Sequence, residues 1–259
     1  MKIVVLIKQV PDTYEDRKLD LTTGWVDRAA SERVVEEITE RALEVALQQK
    51  DADKSTDVVV MSMGPAELTP ALRRCLAMGA DSAVHVLDDA LRGADALHTA
   101  TVLAAALATT GYDLIITGNE STDGRGGIVP AMIAEKLGLP ILSYMHSVNI
   151  SADSVSGERG SESGSALVHS PLPAVVSVTE RAAEARFPGF KGIMGAKKKP
   201  VVTLTLADLA IGDDTFASAG RSVVVSTKQK PARSAGTVIT DDGTGAEQLA
   251  DFLAAGRLI

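Results

Sequence analysis

The chain has 259 residues, 45% of them hydrophobic and 3% aromatic, with a formal net charge of −8 at pH 7. That length supports one large α/β domain or two small ones, and the apolar content excludes a disordered chain. The negative balance argues against general nucleic-acid binding, which needs a basic surface. The scarcity of aromatics leaves no stacking platform for single strands and little sign of an aromatic-lined cavity built by this chain alone.

The opening MKIVVLIKQVPDT reads as a buried strand, Ile3 to Lys8. Its apolar run is broken by Lys8 and followed by Pro11 and Asp12, without the small-residue cleavage site of a signal peptide. Tyr14 and Trp25 follow in a polar stretch, where surface packing is the expected role of both. A helix is predicted over Val34 to Gln49, with Val34, Ile38, Ala42, Val45 and Ala46 on one face and Glu37, Glu40, Arg41 and Glu44 elsewhere. Next come a strand Asp57 to Met63, a helix Leu68 to Met78, a strand Ala83 to Leu87, a helix Ala94 to Thr109 and a strand Asp113 to Thr117. This alternation predicts βαβ units and a mostly parallel sheet with helices on both faces. The longest apolar stretches, such as Lys2 to Val10 and Thr99 to Ala108, fall short of the roughly 20 residues that cross a bilayer, so no membrane span is expected. The single cysteine, Cys75, has no internal disulfide partner, which suits a reducing cytoplasm, and its expected role is packing on a helix. The histidines His85, His98, His146 and His169 lack partners at metal spacing.

The loop Thr117 to Pro130, TGNESTDGRGGIVP, follows a strand and opens a helix, Val129 to Leu137. Backbone N–H groups at that helix start and in the turn of Gly124, Gly126 and Gly127 can converge on an anion such as a phosphate. Ser121 and Thr122 supply hydroxyls, and Asp123 is placed to orient a ribose, a backbone amide or Arg125. The loop is neither a Walker A sequence nor a Gly-x-Gly-x-x-Gly fingerprint. It reads either as a nucleotide site or as a tight strand-to-helix connection, and its place at the carboxyl end of a parallel strand favours the first. Ser121 lacks the frame of a nucleophile elbow, and no acid–base pair is evident.

Beyond Pro140 the texture changes to a β-hairpin excursion, about 141–171, returning to a core strand Ala174 to Val178. The segment ARFPGFKGIMGAKKKP, Ala185 to Pro200, sets Phe190, Ile193 and Met194 among Arg186, Lys191, Lys197, Lys198 and Lys199. It reads as a helix with apolar and solvated faces, or as an apolar anchor rimmed by positive charge for a transient protein partner. From Ala207 periodicity fades; only Ser222 to Ser226 is strand-like, and an amphipathic helix, Ala246 to Ala255, ends the chain. Such a tail is either a flexible terminus or an arm laid on another subunit, and the apolar face of Leu249, Phe252 and Leu253 favours the arm. The predicted organisation is an α/β nucleotide-binding domain over 1–210 and an arm over 211–259.

MKIVVLIKQVPDT, Met63 to Ala66 (MGPA), Ala77 to Asp81 (AMGAD), the loop Gly118 to Gly127, and LPAVVSV…RFPGFKGIMGAKKKP occur in that order. Together they resemble the electron transfer flavoprotein β subunit over nearly the full chain. The resemblance implies a Rossmann-like fold of the adenine-nucleotide α-hydrolase-like kind and a heterodimer with an α subunit. FAD, held mainly by that partner, takes electrons from acyl-CoA or other flavin dehydrogenases and passes them to a quinone-linked oxidoreductase. The β chain itself buries a structural AMP and needs no catalytic residue. By position, the resemblance maps the AMP environment to Leu6, Glu36, Glu37, Ile38, Thr39, Met63 and the loop from Gly118 and Asn119 to Ile128 and Val129, and puts Phe190 in the place of the family's partner-recognition leucine. For Tyr14 it adds a contact with the partner's flavin domain as an alternative. Three departures stand out: Glu36-Glu37 for Asn-Pro, Ala183-Glu184-Ala185 for Asn-Glu-Pro, and Arg159-Gly160 for Arg-Glu. A second FAD in the AMP place, as in bifurcating relatives, and a universal-stress-like nucleotide-binding regulator are the alternative readings.

Overall fold

The computed structural model describes residues 1–211, 222, 224–232 and 236–259. Its centre is a sheet whose parallel members are β1 (Lys2–Leu6), β4 (Asp57–Met63), β5 (Ser82–Val86), β6 (Leu114–Gly118), β7 (Ile141–Met145), β11 (Ala174–Val178) and β12 (Val201–Leu204), in the spatial order β7-β11-β6-β1-β4-β5-β12. The antiparallel strands β8 (Asn149–Ile150), β9 (Ser154–Ser161) and β10 (Gly164–Pro171) extend the sheet beyond β7, while β2 (Gln9–Pro11) and β3 (Arg33–Val35) form a separate ribbon.

Successive side chains of a strand point to opposite faces, and here both faces are apolar. Ile3, Val5, Val58 and Val60 pack with Leu43 and Leu47 of α1 (Glu37–Ala52) and with Leu72 and Leu76 of α2 (Thr69–Met78). Val4, Leu6, Val59 and Met61 pack on the other face with Leu103 and Leu107 of α3 (Ala96–Thr110) and Ile133 of α4 (Val129–Leu137). Each such fully buried side chain contributes about 1.5–3 kcal/mol. The layered α/β architecture with helices on both faces is therefore as the sequence predicts.

Cys75 lies in α2 with no exposed surface, and burial pushes its thiol well above the usual range. The folded protein is expected to leave a thiol reagent such as Ellman's unreacted and to titrate one thiol per chain only on unfolding.

Two boundaries depart from the sequence expectations. Val34 and Val35 belong to β3, where they pair with Val10 and Gln9, so α1 starts at Glu37 rather than Val34. Ile141 to Met145 is a parallel member of the main sheet, and the hairpin proper is β9–β10. Strand β12, pairing with β5, has no counterpart in the sequence reading. Residue 223 of the strand-like run Ser222 to Ser226 lies outside the described residues, and the described remainder of that run forms no strand.

Met1–Val225 form one compact unit and Ser226–Ile259 a second. In the second, α6 (Gly245–Ala255) buries no residue within the chain and leaves Leu249 and Phe252 about half exposed. Among the described residues no helix is long and apolar enough to cross a membrane.

Candidate functional site

From β1 the chain moves outward through α1, β4, α2 and β5. It then crosses back through α3 to β6, on the other side of β1. Connections leaving β1 and β6 diverge there, and such a switch point is where doubly wound sheets take ligands. The loop 119–128 closes over it.

Asp123 is the hub of this loop. Its side chain, 2% exposed, accepts from Lys8 Nζ (2.7 Å), Ser121 Oγ (2.7 Å), Arg28 Nη2 (2.8 Å) and the Gly124 N–H (2.7 Å). Burial raises the Asp123 carboxyl, but the charge and hydrogen bond of Lys8, with the bonds from Ser121 and Arg28, outweigh it and hold the group well below the usual carboxylate range. Lys8 sits just past β1 and Arg28 just before β3, so one carboxylate fastens three separate segments. Arg17 adds a hydrogen bond to the Thr122 carbonyl.

Glu36, immediately before α1, is fully buried. Its Oε2 accepts from the Thr122 N–H (2.9 Å) and hydroxyl (2.8 Å), while its Oε1 has no partner among the described residues. The Asn119 side chain, 8% exposed with its residue, likewise leaves Oδ1 buried and unpartnered. Two open buried acceptors beside one loop are unusual, because an unsatisfied buried polar atom costs about 1–3 kcal/mol. Gly118 is needed for close approach: a Cβ there would lie 3.1 Å from Ile38 Cγ2 and 3.2 Å from Thr39 Cγ2.

The sequence-mapped residues divide. Leu6, Ile38, Thr39 and Met63 lie at the carboxyl ends of the central strands or at the start of α1, with Leu6 and Thr39 buried. Ser121, Thr122, Asp123, Gly124, Arg125, Gly126, Gly127 and Ile128 form the loop, and Val129 begins α4. Glu37 turns outward and pairs with Arg41, away from the loop. Asp123 grips Lys8 and Arg28 instead of Arg125. Sequence patterning does not single out Lys8, Arg17 or Arg28 as residues of this site. The signal for Lys8 was a charge interrupting an apolar run at a strand's carboxyl end, whereas Arg28 sits in a segment with no periodicity.

The second surface is α5 (Phe190–Ala196) and its approach. Phe187 is 86% and Phe190 82% exposed, Ile193 and Met194 are also exposed, and Lys191, Lys197 and Lys198 surround them. Arg186 and Lys199 serve a different purpose. Arg186 bonds Glu44 Oε2 (2.7 Å), Glu44 Oε1 (2.8 Å) and Asp51 (2.8 Å), and these bonds raise its pKa further. Lys199 Nζ donates to the carbonyls of Leu76 (2.9 Å) and Ala80 (2.5 Å) at the end of α2. Burial shifts its pKa downward. The two cations thus tether the segment at both ends and leave its centre outward. Trp25, stacked near Gly93 with Arg92 6.0 Å from its ring, is packing, while Tyr14 is 97% exposed. In the hairpin, Gly160 lies beneath the His146 imidazole, where a Cβ would fall 1.8 Å from Cε1.

These features define a doubly wound, Rossmann-like α/β protein with its candidate ligand site at the topological switch point. Residues 23–209 match the electron transfer flavoprotein domain. The chain is 48% identical, over 99% of both chains, to the electron transfer flavoprotein subunit beta of Mycobacterium leprae (strain TN). It is 34% identical to that of Megasphaera elsdenii over the full length of both, and 32% identical to the caffeyl-CoA reductase-Etf complex subunit CarD of Acetobacterium woodii, over 98% of this chain and 96% of the relative. The chain belongs to the electron transfer flavoprotein β-subunit family.

Proposed function

We propose that this chain serves as the β subunit of a heterodimeric electron transfer flavoprotein, binds an AMP at the loop 119–129, lays residues 211–259 on its α subunit, and docks electron-donating dehydrogenases through α5. The observation that carries the nucleotide reading is the unfinished hydrogen bonding at the switch point. Glu36 Oε1 and Asn119 Oδ1 are acceptors awaiting donors, and ribose hydroxyls and an adenine amino group are donors. Lys8 and Arg28 bring two cations to the loop, and the free N–H groups at the α4 start suit a phosphate. FAD, held mainly by the α subunit, supplies the redox chemistry when bound. This chain needs no catalytic residue; its side chains bind, position and recognise, and electrons continue to a quinone-linked oxidoreductase.

Denaturing the purified heterodimer and separating the released nucleotides is expected to yield one AMP and one FAD per pair. Two FAD and no AMP would instead put a second flavin in the AMP place.

For docking, the support is the exposed apolar centre of α5 within a cationic rim. Phe190→Ala is expected to slow reduction by the dehydrogenase about tenfold while flavin content stays unchanged. Loss of flavin would instead make Phe190 a structural residue.

A further inference from the structure

Strand β7, separated from β6 by β11, carries an irregularity near its carboxyl end. Leu142 pairs with Val176 and Met145 with Val178, so β7 spends one residue more than β11 over the same stretch. The extra residue makes a bulge, a device that re-aims a side chain. The bulge is held by the buried Ser177, whose hydroxyl accepts from the Tyr144 N–H at 3.2 Å. Tyr144 takes the left-handed conformation (φ 56°), which bulky residues avoid unless their surroundings impose it.

The strained backbone sends the phenol to the loop. The Tyr144 hydroxyl would lie 3.0 Å from a Cβ placed on Gly127, itself left-handed at φ 62° and two residues past Arg125. Tyr144 is 43% exposed, and its hydroxyl has no hydrogen-bond partner among the described residues. A strained residue thus places an uncommitted O–H at the turn that opens α4. The buried, unpartnered Asn119 Oδ1 independently marks the same loop as one that awaits a ligand.

We infer that Tyr144 is a binding residue of this site and donates its hydroxyl to a phosphoryl oxygen of the nucleotide at the start of α4. The inference rests on the nucleotide reading above and adds a residue that lies outside the loop. A phenol donating to an anionic oxygen makes a charge-assisted bond, stronger than a neutral one. The bulge keeps that donor preoriented at the expense of backbone strain.

The test uses the purified heterodimer freed of its nucleotide, with AMP and adenosine as probes. Tyr144→Phe keeps the ring and removes the donor. It is expected to weaken AMP binding about tenfold and to leave adenosine within about twofold of the unaltered protein. Tyr144→Gly suits the left-handed backbone. It is expected to lose the same AMP preference while raising the unfolding temperature of the nucleotide-free complex. AMP affinity unchanged in Tyr144→Phe, or equal losses for AMP and adenosine, would overturn the assignment while the nucleotide reading stood. If the unaltered heterodimer binds neither probe, both readings fall.

Discussion

Asp123→Asn is expected to destabilise the protein by about 2 kcal/mol and to release the loop over the switch point. Removing one partner from a fully buried ion pair costs about 3–5 kcal/mol. Here the Lys8 and Arg28 side chains are 42% and 39% exposed, so water recovers part of the loss and the lower figure applies. The asparagine keeps the size and one acceptor but loses the charge that draws both cations inward. Urea unfolding of the variant measures the stability term, and proteolysis between residues 119 and 128 measures the freed loop.

The same group sets a pH signature. Because the folded Asp123 pKa is depressed, its contribution is fully present above the unfolded carboxylate value near 3.9 and is lost as pH falls below that toward the folded value. The unaltered protein is therefore expected to lose stability below about pH 4 more steeply than Asp123→Asn. Parallel curves would show that Asp123 is not the fastening group.

Two alanine substitutions in one short helix are expected to act in opposite directions. A Cβ on Gly192 would lie 2.1 Å from the Ala77 carbonyl oxygen, a backbone atom of α2 that cannot rotate away. The helices must separate, and overpacking of this kind costs about 1–3 kcal/mol. A Cβ on Gly195 meets nothing within 4 Å, so Gly195→Ala gains up to about 1 kcal/mol from helix propensity.

The two variants also separate folding from recognition. The carboxyl end of α5 is pinned, since Arg73 Nη1 donates to the carbonyls of Ala196 and Lys199, each at 2.8 Å. Gly192→Ala therefore swings the amino-terminal part that carries Phe190. Thermal unfolding should order the proteins Gly195→Ala, unaltered, Gly192→Ala from most to least stable. Reduction by a dehydrogenase should slow only in Gly192→Ala.

Much of the fold is legible because strand and helix periods alternate from Ile3 to Leu137. Helix α4 was read to its observed limits, Val129–Leu137, because Pro130 marks its first turn and Gly138, in a left-handed conformation, closes it. The start of α1 was misread because Val34 fits the helical stripe as well as it fits a strand. Only pairing with Val10, distant in sequence, decides the matter. The loop 119–128 announced itself through its glycines and its place after a strand. The cations that hold Asp123 did not, because Lys8 and Arg28 reach it across 115 and 95 positions of sequence. In the Ala185 to Pro200 segment, charge alone could not separate the tethers Arg186 and Lys199 from the solvated Lys191, Lys197 and Lys198.

The contact between Gly160 and His146 couples the hairpin to the residue that follows β7. With the imidazole occupying the space a Cβ would need, neither position can change freely. A side chain at 160 requires a smaller or reoriented residue at 146. Gly160→Glu is therefore expected to require the His146 ring to swing aside, and thermal unfolding should find it better tolerated beside His146→Ala than alone.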